Sequence, residues 1–95
     1  MAAYVIANIH VTDAERYEAY KVQAAASIAE HGGRYLARGG KHEVLEGHWS
    51  PHRLVILEFG TYEAAIAWYE SQEYDAPKDL RQKIAVSEIV VVDGM

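Results

Sequence analysis

The chain has 95 residues, no cysteine, and 9 Lys and Arg against 14 Asp and Glu, for a formal net charge of −5. That length sets the expectation of one domain over 1–95, small enough to leave exposed about 35–40% of the surface its unfolded chain shows, so a partner subunit would help it considerably. The missing cysteines exclude disulfide scaffolds, thiol catalysis and Cys-based zinc sites, and the acidic balance repels phosphate backbones, so nucleic acid is not an expected partner.

The opening "MAAYVIANIHVTD" carries no basic residue ahead of its apolar run and is interrupted by Asn8 and His10. Neither a signal peptide nor a membrane span is expected, and the location expected is the cytoplasm. Residues 3–11, short, apolar and β-branched, read as a first strand. Thr12 with Glu15 three residues on matches a capping box, and Tyr17, Tyr20, Ala24, Ile28 and His31 then recur at helical spacing, predicting a helix over 13–31. Gly32-Gly33 should stop it, because the residue past a helix end commonly takes the left-handed conformation.

Beyond the helix, "RYLAR" (34–38) and "KHEVLEGHW" (41–49) both look extended, with Gly39-Gly40 marking a bulge or bend in one long strand. "SPHR" is a turn, and "RLVILEF" (53–59) forms a hairpin with the preceding strand. A second helix follows Thr61, with Tyr62, Ala65, Ile66 and Tyr69 in one stripe and Ala64 and Trp68 beside it. Residues 71–75 look like a break, Pro77 opens a shorter helix over 77–85, and "VSEIVVVD" (86–93) is the last strand. The order β-α-β-β-α-β is the ferredoxin-like α+β arrangement, a four-stranded antiparallel sheet with helices on one face.

Such a sheet ordinarily turns a polar face to water, yet Tyr4 and Ile6, Leu54 and Ile56, and Val90 and Val92 oppose strand faces that are themselves apolar. Leaving roughly 500 Å² of apolar sheet exposed would forgo on the order of 12 kcal/mol, comparable to a whole domain's stability. The economical cover is a second identical sheet, which predicts a two-fold homodimer closing into a dimeric α/β barrel. The smoother face of Ala and Val is expected at the sheet-to-sheet contact, and the mixed face, with Asn8, Glu58 and Glu88, beneath the helices.

In order along the chain, "YVIANIHVTD", "GGRYLARGG", "VLEGHW", "RLVILEF", "AWYESQEY" and "LRQK" resemble the domain-of-unknown-function 1330 family of the dimeric α/β-barrel superfamily. The resemblance covers nearly the whole chain and implies a ferredoxin-like homodimer of bacterial type, with no catalytic residues to carry over. Gly60 stands where such sequences often have Pro. Haem-degrading and quinone-forming monooxygenases of the superfamily are similar in having Asn on the first strand, here Asn8, and Trp on the helix after the third, here Trp68. The haem-degrading ones also rely on a His soon after that Trp, and this chain has none beyond His52.

Candidate chemistry gathers around Asn8, Glu58 and Trp68. The phenols of Tyr17, Tyr20, Tyr62 and Tyr69 would face Asn8, Glu58 and Glu88 across a partly polar pocket, either to hold a ligand or to satisfy one another. Glu58 is the candidate base if burial raises its pKa; the alternative is an ion pair with Arg81 or Arg38. Arg34, Arg38 and Lys41 could grip a carboxylate or merely protect an edge strand. His42, His48 and His52 lie near one another, but on no element that fixes ligand geometry, and no metal or cofactor is expected. The function expected is that of a small homodimer binding, and transforming by cofactor-independent oxygenation or proton transfer, a small aromatic or carboxylate-bearing metabolite. The catalytic candidates are Glu58 and Asn8, and the ligand-binding candidates Trp68, Tyr69, Arg38, Tyr17 and Arg81. The alternative is a non-catalytic ligand-binding or stress-associated dimer.

Overall fold

The computed structural model describes residues 1–95. Its elements are β1 (Ala3–Val11), α1 (Ala14–Glu30), β2 (Arg34–Arg38), β3 (Arg53–Phe59), α2 (Tyr62–Tyr69), α3 (Gln72–Ile84) and β4 (Ala85–Asp93). The four strands form one antiparallel sheet in the order β2-β3-β1-β4, with β1 paired along both edges. This is the expected ferredoxin-like α+β fold. No helix is long and apolar enough to cross a membrane.

The cap of α1 is Asp13 rather than Thr12: the Asp13 carboxylate accepts the Arg16 N–H at 3.2 Å. At the other end, Gly32 at φ 74° lets its own N–H reach the Ala29 carbonyl (3.1 Å) and the Gly33 N–H reach that of Ile28 (2.9 Å), the paired bonds of a Schellman close. The first glycine pair therefore acts as predicted. Gly33 has a second role, because a Cβ there would lie 2.6 Å from the Phe59 ring.

The second pair acts differently. The bulge falls at Leu36, where pairing with β3 shifts register between Tyr35 and Ala37. β2 ends at Arg38, and residues 39–52 leave the sheet as a loop. The predicted strand over 41–49 does not form: β2 is an edge strand, its last backbone bond to β3 is Gly39 N–H to the Leu54 carbonyl (2.8 Å), and no strand lies beyond to pair with. Leu45 is left 85% exposed and Trp49 55%. α3 is also longer than expected. Ser71, read as part of a break, caps it by accepting the Tyr74 N–H (3.2 Å), so Pro77 sits inside the helix rather than at its start.

The helices cover the face formed by Val5, Ala7, Ile9, Val55, Leu57 and Phe59, which are buried with Tyr17, Tyr20, Ala24 and Ile28 of α1, Ala65 and Trp68 of α2, and Tyr74 and Ile84 of α3. This reverses the predicted sides. The smooth face is the inner one because small residues such as Ala7 leave room for large helix rings, whereas Asn8, Glu58 and Glu88 beneath the helices would have been desolvated. The predicted stripe of α2 shifts as well: Ala65 and Trp68 point inward, and Tyr62 is exposed. On the outer face, the aligned Ile6, Ile56 and Val90 form an apolar row across three strands. Val86, Val90 and Val92 stand exposed there.

Candidate functional site

The sheet separates the predicted catalytic residues from the predicted binding residues. Glu58 lies on the outer face, 2.6 Å from the Arg34 guanidinium, and not against Arg38 or Arg81. Asn8 is also outward, its amide donating to Glu88 (3.2 Å) and its carbonyl accepting the His52 backbone N–H (2.8 Å), so it ties the end of the long loop to β4. The expected pocket joining Asn8, Glu58 and Trp68 therefore does not exist. An odd-even difference in strand position decides this, because Asn8 and Glu58 alternate with the inward Ala7 and Leu57. His10 stacks on His52 at 4.0 Å, and no three His, Asp or Glu side chains converge as metal ligands.

Between the sheet and the helices runs a cleft. Its wider part, about 220 Å³, is walled entirely by apolar and aromatic residues: Val5, Ala65, Ile66, Trp68, Tyr69, Ile89 and Val91. A narrower space of about 30 Å³ adjoins it, sharing Val5, Trp68 and Ile89, and is lined further by Tyr17, Tyr20, Tyr74, Lys21, Arg38 and Arg53. Of the residues proposed from sequence for ligand contact, Tyr69 lines the wider space, Tyr17 and Arg38 the narrower one, and Trp68 both. Arg81 does not; it is 4% exposed and meets the cleft only through Tyr74, to whose hydroxyl its Nε–H donates at 3.3 Å.

Trp68 is held rigidly. Its indole N–H donates to Ser27 Oγ (3.0 Å), the Ser27 hydroxyl donates to the Ala24 carbonyl (2.8 Å), and the ring packs on Tyr74 with centroids 4.3 Å apart. Tyr20 and Tyr74 share a hydroxyl bond of 2.7 Å. Burial pushes the Tyr20 phenol well above the ordinary tyrosine range, and the neighbouring Tyr74 adds to this. Burial raises Tyr35 too, against the opposing pull of the Arg38 charge. Both phenols stay protonated at neutral pH, as hydrogen-bonding groups rather than bases.

The leucine bulge in β2 brings Arg38 to the inner side. Arg34 pairs with outward Glu58 and Tyr35 with inward Leu57, but past the slip Arg38 pairs with inward Val55. Its guanidinium lies over the Tyr35 ring at 4.3 Å and donates to the Lys21 carbonyl at 3.4 Å. Arg53, at the start of β3, lies over the Tyr17 ring at 5.5 Å. Sequence reasoning passed over Arg53, Ser27 and Tyr74. Only the capping position of Ser71 before Tyr74 gave a local signal; the other two depend on partners across the fold.

RPA0582, a protein of unknown function from Rhodopseudomonas palustris, superposes with a TM-score of 0.78 at 18% identity, over 99% of this chain and 82% of that one. SnoaB, a cofactor-independent oxygenase from Streptomyces nogalater, gives 0.66 at 11% identity over 99% and 93%. Rv0793 from Mycobacterium tuberculosis gives 0.58 at 15% over 100% and 96%. These likenesses establish the shared fold. No curated protein matches the chain. The model of one family, described as a domain of unknown function, DUF1330, matches residues 2–95, and the chain belongs to that family.

Proposed function

We propose that this protein is a cytoplasmic homodimer that binds a small aromatic or carboxylate-bearing metabolite in the cleft between sheet and helices. The observation that carries the ligand reading is the 220 Å³ space walled only by apolar and aromatic side chains, with Trp68 fixed in its wall. An apolar cavity of about 150 Å³ is enough to take up benzene, so a substituted ring fits this one. Stacking against Trp68 and Tyr69 favours a planar ligand.

On this reading the second copy covers the outer sheet face. A monomer of this 10.6 kDa mass ordinarily exposes about 5,500 Å². This chain exposes 6092 Å². The surplus, roughly 600 Å², approaches the ~800 Å² that each partner buries in a standard interface. The exposed valines of β4 and the row of Ile6, Ile56 and Val90 supply the apolar centre, and the loop adds the exposed Leu45 and the half-exposed Trp49, which lies beside Ile6 and Val90.

Cofactor-independent oxygenation of the bound ring is the reaction to test first, because SnoaB, a cofactor-independent oxygenase, has the same fold. A non-catalytic binding protein is the second reading. It is favoured by the lining of the cleft, where no carboxylate or imidazole is available to take a proton. Native mass spectrometry of protein from its own host tests the assignment. The expected species is two chains with a small-molecule adduct released on activation; bare chains would refute the ligand, and a single chain the dimer.

A further inference from the structure

We propose that the ligand is held by its carboxylate, and that Arg53, with Arg38 beside it, is the group that grips it; this rests on the cleft being the binding site. The chain has five more acidic than basic residues, so carboxylates are in excess. Arg38, Lys41, Arg53, Lys78 and Arg81 nevertheless pair with none, and of these five only Arg38 and Arg53 line the cleft. The five ion pairs join Arg16 to Asp13, Lys21 to Glu18, His31 to Glu73, Arg34 to Glu58 and Lys83 to Asp79. Lys21, the third cation lining the narrower space, is thus engaged by Glu18 at 2.9 Å, while no Asp or Glu lines the cleft. Two guanidinium groups are left at one mouth with no countercharge.

The Nε–H of Arg53 is shielded from solvent and has no hydrogen-bond partner. Buried donors of charged groups are rarely left unpaired, because an unmet one weakens the fold. The local backbone nevertheless accommodates this side chain. Gly39 adopts φ +70°, and a Cβ there would collide with Arg53 Nη1 and lie 2.6 Å from its Cζ. The absent side chain is what makes room for the guanidinium. The second glycine pair, which the sequence offered as a strand break, therefore also seats Arg53. The Tyr17 and Tyr35 rings back the two guanidinium planes, at 5.5 and 4.3 Å. A planar fork oriented by an aromatic face is suited to a carboxylate, which it meets with two parallel N–H donors. With the cations at one end of the cleft and Trp68 and Tyr69 in the wall of its wider part, the ligand class is an aromatic monocarboxylate.

The test compares trans-cinnamate with cinnamyl alcohol, which differ in the carboxylate alone, by NMR titration of the ¹⁵N-labelled protein. The Trp68 indole N–H resonance is the reporter, and that of exposed Trp49 the internal control. Cinnamate is expected to shift Trp68 and not Trp49, and to bind about tenfold more tightly than the alcohol, the margin of a charge-assisted pair of hydrogen bonds. Arg53→Gln should abolish that preference and leave the alcohol's affinity within about twofold. If Arg53→Gln does not fold, the exposed Arg38→Gln variant reads the same preference and should reduce it. Equal binding of acid and alcohol by the unaltered protein, or a preference that survives both substitutions, overturns the anion grip and leaves the cleft assignment standing. Failure of both compounds to move Trp68 overturns the cleft itself.

Discussion

Replacing Ser27 with Ala isolates the bond that pins the cleft wall. Ser27 and Trp68 are 2% and 3% exposed, and no other acceptor takes the indole N–H. Removing the hydroxyl leaves that donor buried and unmet, which costs about 1–3 kcal/mol. The higher helix propensity of alanine returns a few tenths of that, for a net loss of about 1–2 kcal/mol. For a domain of this size the midpoint of thermal unfolding should fall by about 4–16 °C at fixed protein concentration. The informative measurement is a double-mutant cycle by urea denaturation. In a Trp68→Phe background no indole N–H remains to be stranded, so Ser27→Ala should cost less than about 0.5 kcal/mol there, giving a coupling near 1 kcal/mol. Equal losses in both backgrounds would show that the hydroxyl acts through the α1 backbone alone and that Trp68 is held by packing.

Val90→Asp places a charge in the middle of the outer apolar row and should convert a dimer to a monomer in sedimentation equilibrium; an undiminished dimer would move the interface elsewhere. Glu58→Gln should leave cinnamate affinity unchanged and cost less than about 1 kcal/mol, because its partner Arg34 is largely exposed and the pair lies across the sheet from the cleft. A loss of affinity would contradict that separation. For pH, burial holds the folded Tyr20 pKa well above the ordinary tyrosine value, so folded protein retains a proton that unfolded protein releases. Stability from this group is therefore fully present below about pH 10 and declines above it, by up to about 1.4 kcal/mol per pH unit and proton. Urea midpoints at about pH 8 and pH 11 should show the fall, and Tyr20→Phe should lessen it; an identical fall in the variant would assign it to other groups.

Much of the architecture is legible in the chain because it rests on local rules. The apolar run of 3–11, the helical recurrence of Tyr17, Tyr20, Ala24 and Ile28, and the Gly32-Gly33 stop each act within a few residues, and each forms as expected. The apolar character of both sheet faces is legible too, because strand alternation needs no knowledge of partners. Where local character needed a neighbour, the reading failed. Residues 41–49 have strand-like composition but no strand to pair with, so they remain a loop.

The site depends still more on tertiary structure. Alternation sorts a strand into two sets but cannot say which set meets the helices; that was settled by small alanines making room for Trp68 and by the cost of desolvating Glu58 and Asn8. In the same way the sequence determined that Arg38 and Arg53 flank a glycine-broken segment. Only the folded chain, through the slip at Leu36 and the room left at Gly39, brought both to one mouth of an aromatic cleft, because a register shift and a close approach are properties of paired strands rather than of any one stretch.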